Sequence, residues 1–198
     1  MAEIKILAEG YASKKRKNSP ASSGVVLIFG GDIKVLVDPG SNAKALLDAL
    51  RKERIKPSDI DIVFLTHYHL DHLLNIRLFP TNDIYDGDTI SRGDKIINFS
   101  GGKLPKTNIK VIKTPGHAHE HCSLLVQTAK GKIAVAGDVF WWWSEQKQKI
   151  DRKNLLKLKD PFVKNKLALL QSRKKLLAIA DYIIPGHGKM FKVPGADL

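Results

Sequence analysis

Seven histidines stand in this 198-residue sequence, and all fall in three places: His67, His69 and His72; then His117, His119 and His121; then His187. Each place directly follows an apolar run of strand length, Ile62-Val63-Phe64-Leu65, Ile109-Lys110-Val111-Ile112 and Tyr182-Ile183-Ile184. A fourth run, Ile133-Ala134-Val135-Ala136, ends in Gly137-Asp138. Loops at one edge of a sheet converge while the strands hold them rigid, so imidazoles and carboxylates just past strand ends can meet there. This distribution constrains the chain to a layered α/β fold with a site at the carboxyl edge of its strands.

The densest piece is Thr66-His67-Tyr68-His69-Leu70-Asp71-His72. In extended backbone, residues two apart point the same way, so His67 and His69 can share one metal as neutral imidazoles. A helix starting near Asp71 then turns Asp71 and His72 toward a second ion. Nitrogen and oxygen donors without thiolate suit two Zn²⁺ ions, with Mn²⁺ or Fe²⁺ as alternatives. Cys122 is the one cysteine, which excludes an intrachain disulfide and an all-cysteine metal site; it reads as a small buried hydrophobe. His119 and His121 exceed the ligand count and read as polar loop residues.

Around these motifs the pattern alternates between strand and helix. Ile4 to Leu7, Gly24 to Phe29 and Lys34 to Val37 predict an antiparallel meander, with the basic run Lys14 to Lys17 at a solvated loop tip. Ala43, Leu46, Leu47 and Leu50 have the spacing of an amphipathic helix over 42–54. Ile60 to Leu65 reads as a buried strand, residues 70–79 as a short helix, and 84–99 as hairpins. Three further strands are expected at 108–112, 123–128 and 132–136. Asp160-Pro161 reads as an N-cap and N1 proline opening a helix over 162–180, and 182–184 as the last strand.

The length fits a single domain over 1–198. No apolar run approaches the ~20 residues of a membrane span. The first residues read as a strand and not a leader, so the expectation is a cytoplasmic protein without a membrane partner. Net charge is +13, but the first 99 residues carry +1 and the remaining 99 carry +12. Between Lys147 and Lys175, eleven bases meet only Asp151 and Asp160. Such a stripe attracts polyanions, and a solvated lysine-rich face is its plain alternative. Three successive tryptophans, Trp141, Trp142 and Trp143, cannot all face the core in extended chain. At least one is expected beside the metal, stacking on a base, lining an apolar acyl pocket or meeting a second copy in a homodimer.

His67-x-His69-x-Asp71-His72, with His117 in Thr-Pro-Gly-His, Asp138 in Ala-Gly-Asp, His187 in Pro-Gly-His-Gly and Asp38 after the third strand, resembles the metallo-β-lactamase superfamily along essentially the whole chain. The resemblance implies an αββα four-layer sandwich with a dinuclear metal site in the cleft between two sheets. It implies that His67, His69 and His117 hold one metal, that Asp71, His72 and His187 hold the second, and that Asp138 bridges both. Asp38 then orients ligands from behind. A bridging hydroxide is the implied nucleophile, with Asp71 as the candidate proton relay. Segments after the metal motifs resemble a branch whose implied activity is metal-dependent RNA cleavage, which the basic tract suits. The alternative is a thioester or lactone hydrolase of glyoxalase II type acting on a small anionic or ester substrate. A mononuclear iron dioxygenase and a non-catalytic nucleic-acid-binding module are the remaining readings.

Overall fold

The computed structural model describes residues 1–14 and 19–195. The basic run at 14–17, apart from Lys14, therefore lies outside the described residues. The chain begins with β1 (Glu3–Ala8), the short pair β2 (Tyr11–Ala12) and β3 (Ala21–Ser22), then β4 (Val25–Gly30), β5 (Ile33–Val37) and helix α1 (Ala43–Lys52). β6 (Ile62–Phe64) leads to a one-turn helix α2 (Leu70–Leu73) that tightens into a 3-10 helix at Leu74–Leu78. After β7 (Asp83–Tyr85), β8 (Thr89–Arg92), β9 (Lys95–Asn98) and β10 (Gly102–Lys103) come β11 (Lys110–Lys113), β12 (Cys122–Thr128) and the long β13 (Gly131–Trp141). Helices α3 (Arg152–Leu156) and α4 (Lys166–Ile179) precede β14 (Tyr182–His187) and β15 (Phe191–Lys192).

One sheet runs β1-β4-β5-β6-β7-β8-β9 and the other β10-β11-β12-β13-β14-β15, with β2 and β3 paired separately. Strand alternation sorts the apolar side chains into layers. Val26, Ile28, Val35 and Val37 of the first sheet meet Leu124, Val126, Ile133 and Val135 of the second in a core between the sheets. Val25, Leu27 and Leu36 face the other way, onto Leu46 and Leu50 of α1. On the far side Ala134 and Ala136 are small enough to admit Leu169, Leu176 and Leu177 of α4. The result is the expected four-layer αββα sandwich. β5, β6 and β7 are parallel neighbours in one sheet, and β13 and β14 in the other. The loops after β5, β6, β13 and β14 open on one cleft. No helix among the described residues is long and apolar enough to cross a membrane.

Two sequence expectations need correction. The helix expected from Asp160 begins at Lys166, with Asn165 as its N-cap accepting from Ala168 N at 3.0 Å. Gly116 O takes both Lys164 N and Asn165 N at 2.9 Å each, so the preceding residues dock on the His117 loop and cannot extend the helix. Secondly, α3 forms where no helix was expected, nucleated by Asp151, whose carboxylate accepts from Asn154 N at 3.0 Å.

Candidate metal centre

The centre is built outward from Asp38. This residue ends β5 in the left-handed region at φ 46°, its N–H bonding Phe64 O at 2.9 Å. Its side chain reaches the loop after β6: Oδ1 accepts from Thr66 N at 2.8 Å, and Oδ2 accepts from Thr66 Oγ1 at 2.7 Å and from His72 Nδ1 at 2.9 Å. The Thr66 hydroxyl gives its proton to Asp38, so at 3.0 Å it accepts from His67 Nδ1. His117 Nδ1 lies 2.7 Å from Asp160 Oδ2 and donates to it. In this way His67, His72 and His117 are each held by Nδ1 and turn Nε2 to a common point.

Asp138, after the Gly137 turn in β13, stands at that point. Its Oδ2 lies 3.3 Å from His117 Nε2 and 3.9 Å from His67 Nε2, while its Oδ1 lies 3.4 Å from His72 Nε2 and 3.7 Å from His187 Nε2. The carboxylate thus divides its two oxygens between two sets of histidines. His69 Nδ1 is 3.0 Å from His117 Nε2, and Asp71 Oδ2 is 3.2 Å from His187 Nε2. One set of ligand-type atoms from His67, His69, His117 and Asp138 falls within 4.8 Å of one another, as does a second from Asp71, His72 and His187. Every residue proposed from sequence as a ligand is in one of these sets.

These residues fit a pair of cations. Among the described residues, buried His67 Nε2, His72 Nε2 and Asp138 Oδ1 have no hydrogen-bond partner. An orphaned buried polar atom costs about 1–3 kcal/mol, and nitrogen and carboxylate donor atoms converging on one buried point are the arrangement that a cation relieves. The same groups are strongly coupled to one another. Burial opposes charge on His72, yet Asp138 and Asp38 outweigh it and lift its pKa well above the ordinary value. Burial likewise opposes the Asp138 carboxylate, but His187 and His72 hold its pKa well below the usual range. His67 is pushed well down by burial and by His72.

The remaining aromatic and histidine expectations divide. Trp141 and Trp143 share one face with ring centroids 4.8 Å apart, and Trp141 lies 6.0 Å from His187. Alternation turns Trp142 away from the centre into the core beneath α4, where it packs on Phe191 at 5.9 Å and its edge lines a neighbouring groove. His119 is exposed. His121 lies in the loop just before β12 but is not solvated: it is buried, its ring 5.0 Å from that of His67 at a 33° tilt, and its Nε2 accepts from Asp138 N at 3.1 Å. Its Nδ1 donates to Thr114 Oγ1 at 3.0 Å, which leads on to Ser123 Oγ at 2.8 Å. The available signal was parity, since His121 and the inward Ser123 share a face of the strand start. Phe162 was also missed: it stacks on Trp141 at 5.7 Å and 27° and lies 6.3 Å from His69, although 49% exposed.

Two glycines permit this closeness. A Cβ on Gly186 would run into Asp138 Oδ1, and one on Gly116, at φ 135°, would run into the Leu169 backbone of α4. Beside the centre is a cavity of about 690 Å³, walled by Ala12, Ala21, Leu70, Trp141, Trp143 and Phe162, with Asp71 and Asp138 on its floor. A second groove of about 1020 Å³ shares Lys14 and Trp143 with it and is rimmed by Lys147, Lys149, Lys157 and Lys159.

Comparison with known proteins agrees with this geometry. The family model described as Metallo-beta-lactamase superfamily matches residues 19–104. The chain is 31% identical to Metallo-beta-lactamase domain-containing protein 1 of Xenopus laevis, over 96% of this chain and 81% of that protein. It is 32% identical to the Homo sapiens protein of the same name, over 93% of this chain and 70% of that one. In fold it is similar to a Thermotoga maritima protein described with the metallo-beta-lactamases (TM-score 0.72, 23% identity, 96% and 99% of the two chains). It is also similar to a dizinc quorum-quenching lactonase (0.63, 14%, 91% and 81%) and to a protein solved in a di-iron-bound form (0.62, 19%, 86% and 90%). The chain belongs to the metallo-beta-lactamase superfamily and is a metal-dependent hydrolase.

Proposed function

We propose that this protein is a dinuclear metal-dependent endoribonuclease. The observation that carries the reading is the groove beside the metal centre. Among the described residues six lysines line it, Lys14, Lys147, Lys149, Lys157, Lys159 and Lys166, against the single acid Asp160, whose side chain is turned inward to His117. A positive groove that runs into a catalytic cavity suits a single strand whose phosphates follow the lysines. Trp143, at the junction and under the Lys14 amine at 5.1 Å, offers a face on which a base can stack.

In this reading His67, His69 and His117 would hold one ion and Asp71, His72 and His187 the other, with the Asp138 carboxylate available to both sets. Two divalent ions, Zn²⁺ by donor type, would supply Lewis acidity and a water of lowered pKa when bound. The chain's own part is to fix that charge and exclude bulk water. Trp141, Trp143 and Phe162 wall the cavity. Asp71 lines the cavity with 27% of its side chain exposed, and is the carboxylate that can carry a proton between the attacking water and the leaving oxygen.

The apolar wall favours a second reading, hydrolysis of a small thioester or lactone whose acyl group lies against the aromatics. One experiment separates the two. Purified protein of measured metal content is incubated with end-labelled single-stranded RNA and, in parallel, with a panel of thioesters and lactones, each beside His69→Ala. The endoribonuclease reading expects internal RNA cleavage that is lost in the variant and in chelator. Intact RNA with turnover of an ester by the wild type alone replaces it with the second reading.

A further inference from the structure

We infer that Asp160 is a positioning residue for the metal centre, fixing His117 on the first ion's side as Asp38 fixes His72 on the second. The inference rests on the metal-centre reading and not on the choice of substrate. The two pairs have the same construction. Asp38 Oδ2 meets His72 Nδ1 at 2.9 Å and Asp160 Oδ2 meets His117 Nδ1 at 2.7 Å, and all four side chains are 3% exposed or less. In each pair the far nitrogen of the ring faces Asp138, at 3.4 Å from Oδ1 for His72 and 3.3 Å from Oδ2 for His117. A carboxylate on Nδ1 selects the tautomer that leaves Nε2 as a lone pair, fixes the ring plane and raises the basicity of that Nε2.

The surrounding chain is arranged to hold Asp160 in that place. Its other oxygen, Oδ1, accepts from Phe162 N at 2.9 Å, forming an Asx turn. Arg173 of α4 donates from Nη1 to Leu158 O at 2.7 Å and from Nε to Val139 O at 3.0 Å, tying the strand of Asp138 to the segment that carries Asp160. Lys164 N and Asn165 N close the other side on Gly116 O. A metal-facing histidine and the cavity wall at Phe162 are thus set by one carboxylate. A helix cap at this position would need none of these contacts.

The test compares Asp160→Ala and Asp160→Asn with the wild type and with Asp151→Ala, which alters a cap in the same segment but touches nothing at the centre. Affinity for Zn²⁺ is read by competition with a chromophoric chelator, the ligand-field spectrum after Co²⁺ loading reports donor geometry, and thermal unfolding of the metal-free proteins reports folding. Asp160→Ala is expected to bind one of its ions roughly 10- to 100-fold more weakly and to change the Co²⁺ spectrum. Asp160→Asn, whose amide oxygen still accepts from Nδ1 but carries no charge, is expected to fall between, and Asp151→Ala to match the wild type. If Asp160→Ala does not fold, Asp160→Asn alone decides. Folded variants with wild-type Zn²⁺ affinity and spectrum would overturn the assignment, as would variants that lose only thermal stability. A wild type that takes up no ion would instead overturn the metal-centre reading itself.

Discussion

Replacing His121 by Phe keeps the volume of a buried ring and removes one hydrogen-bond acceptor, together with the donor to Thr114 Oγ1, whose hydroxyl keeps its bond with Ser123 Oγ. In the wild type, His121 Nε2 accepts from the backbone N–H of Asp138 at 3.1 Å, and both residues are 4% exposed or less. His121→Phe leaves that donor orphaned, which costs about 1–3 kcal/mol. The near-isosteric ring avoids most of the further ~3–5 kcal/mol of an aromatic-to-alanine cavity. The pH dependence makes the test specific. Burial first, and then the neighbouring His117, push the His121 pKa from 6.5 down to about 3. Between those values the unfolded chain binds a proton that the folded chain does not, so the wild type loses stability as pH falls below 6.5. By pH 5 this one group removes about 2 kcal/mol, and His121→Phe, having no such group, is spared it. Urea unfolding of both proteins in chelator should therefore show a gap near pH 7.5 that closes by about pH 5. A variant as stable as the wild type at pH 7.5, or a gap independent of pH, would refute the neutral-acceptor role.

Other outcomes follow from single contacts. Gly186→Ala sets a methyl group against Asp138 Oδ1, so the variant should retain far-ultraviolet circular dichroism and bind fewer ions per chain by elemental analysis. Lys157→Glu with Lys159→Glu, both on the groove rim, should reduce the slope of log affinity against log salt for single-stranded RNA by roughly 1–2 while Zn²⁺ content stays unchanged; an unchanged slope removes the groove from the substrate track. Arg173→Met strips donors from Val139 O and Leu158 O. Even after the relief of a buried cation whose pKa burial lowers to about 10, it should lower stability by about 2 kcal/mol in urea unfolding.

The site was legible in sequence where its geometry is local. His67 and His69 are two apart in extended chain, and Asp71 and His72 follow on a helical turn, so backbone period alone gathers four ligand-type residues on one side. The four layers were an expectation from the family resemblance, and the packing accords with them: alternate residues of β4 and β5 are apolar on both faces and α1 is apolar on one. The charge excess of the second half is likewise a property of composition. What local rules cannot carry is pairing across the chain. Asp160-Pro161 satisfies the local pattern of a helix start, but its carboxylate serves a histidine 43 residues earlier, and that contact, with Gly116 O claiming the next amides, moves the helix to Lys166. Trp141 and Trp142 are the same residue type side by side, and only the direction of β13 against β14 decides which enters the cavity and which the core. His121 reads as one more polar loop residue until two sheets close over it and make its lone pair the partner of Asp138. Sequence determined which groups are present and how near neighbours face, since those follow from the backbone period. Tertiary structure decided which distant groups share a desolvated space, and there a single hydrogen bond selects the tautomer, the rotamer and the role.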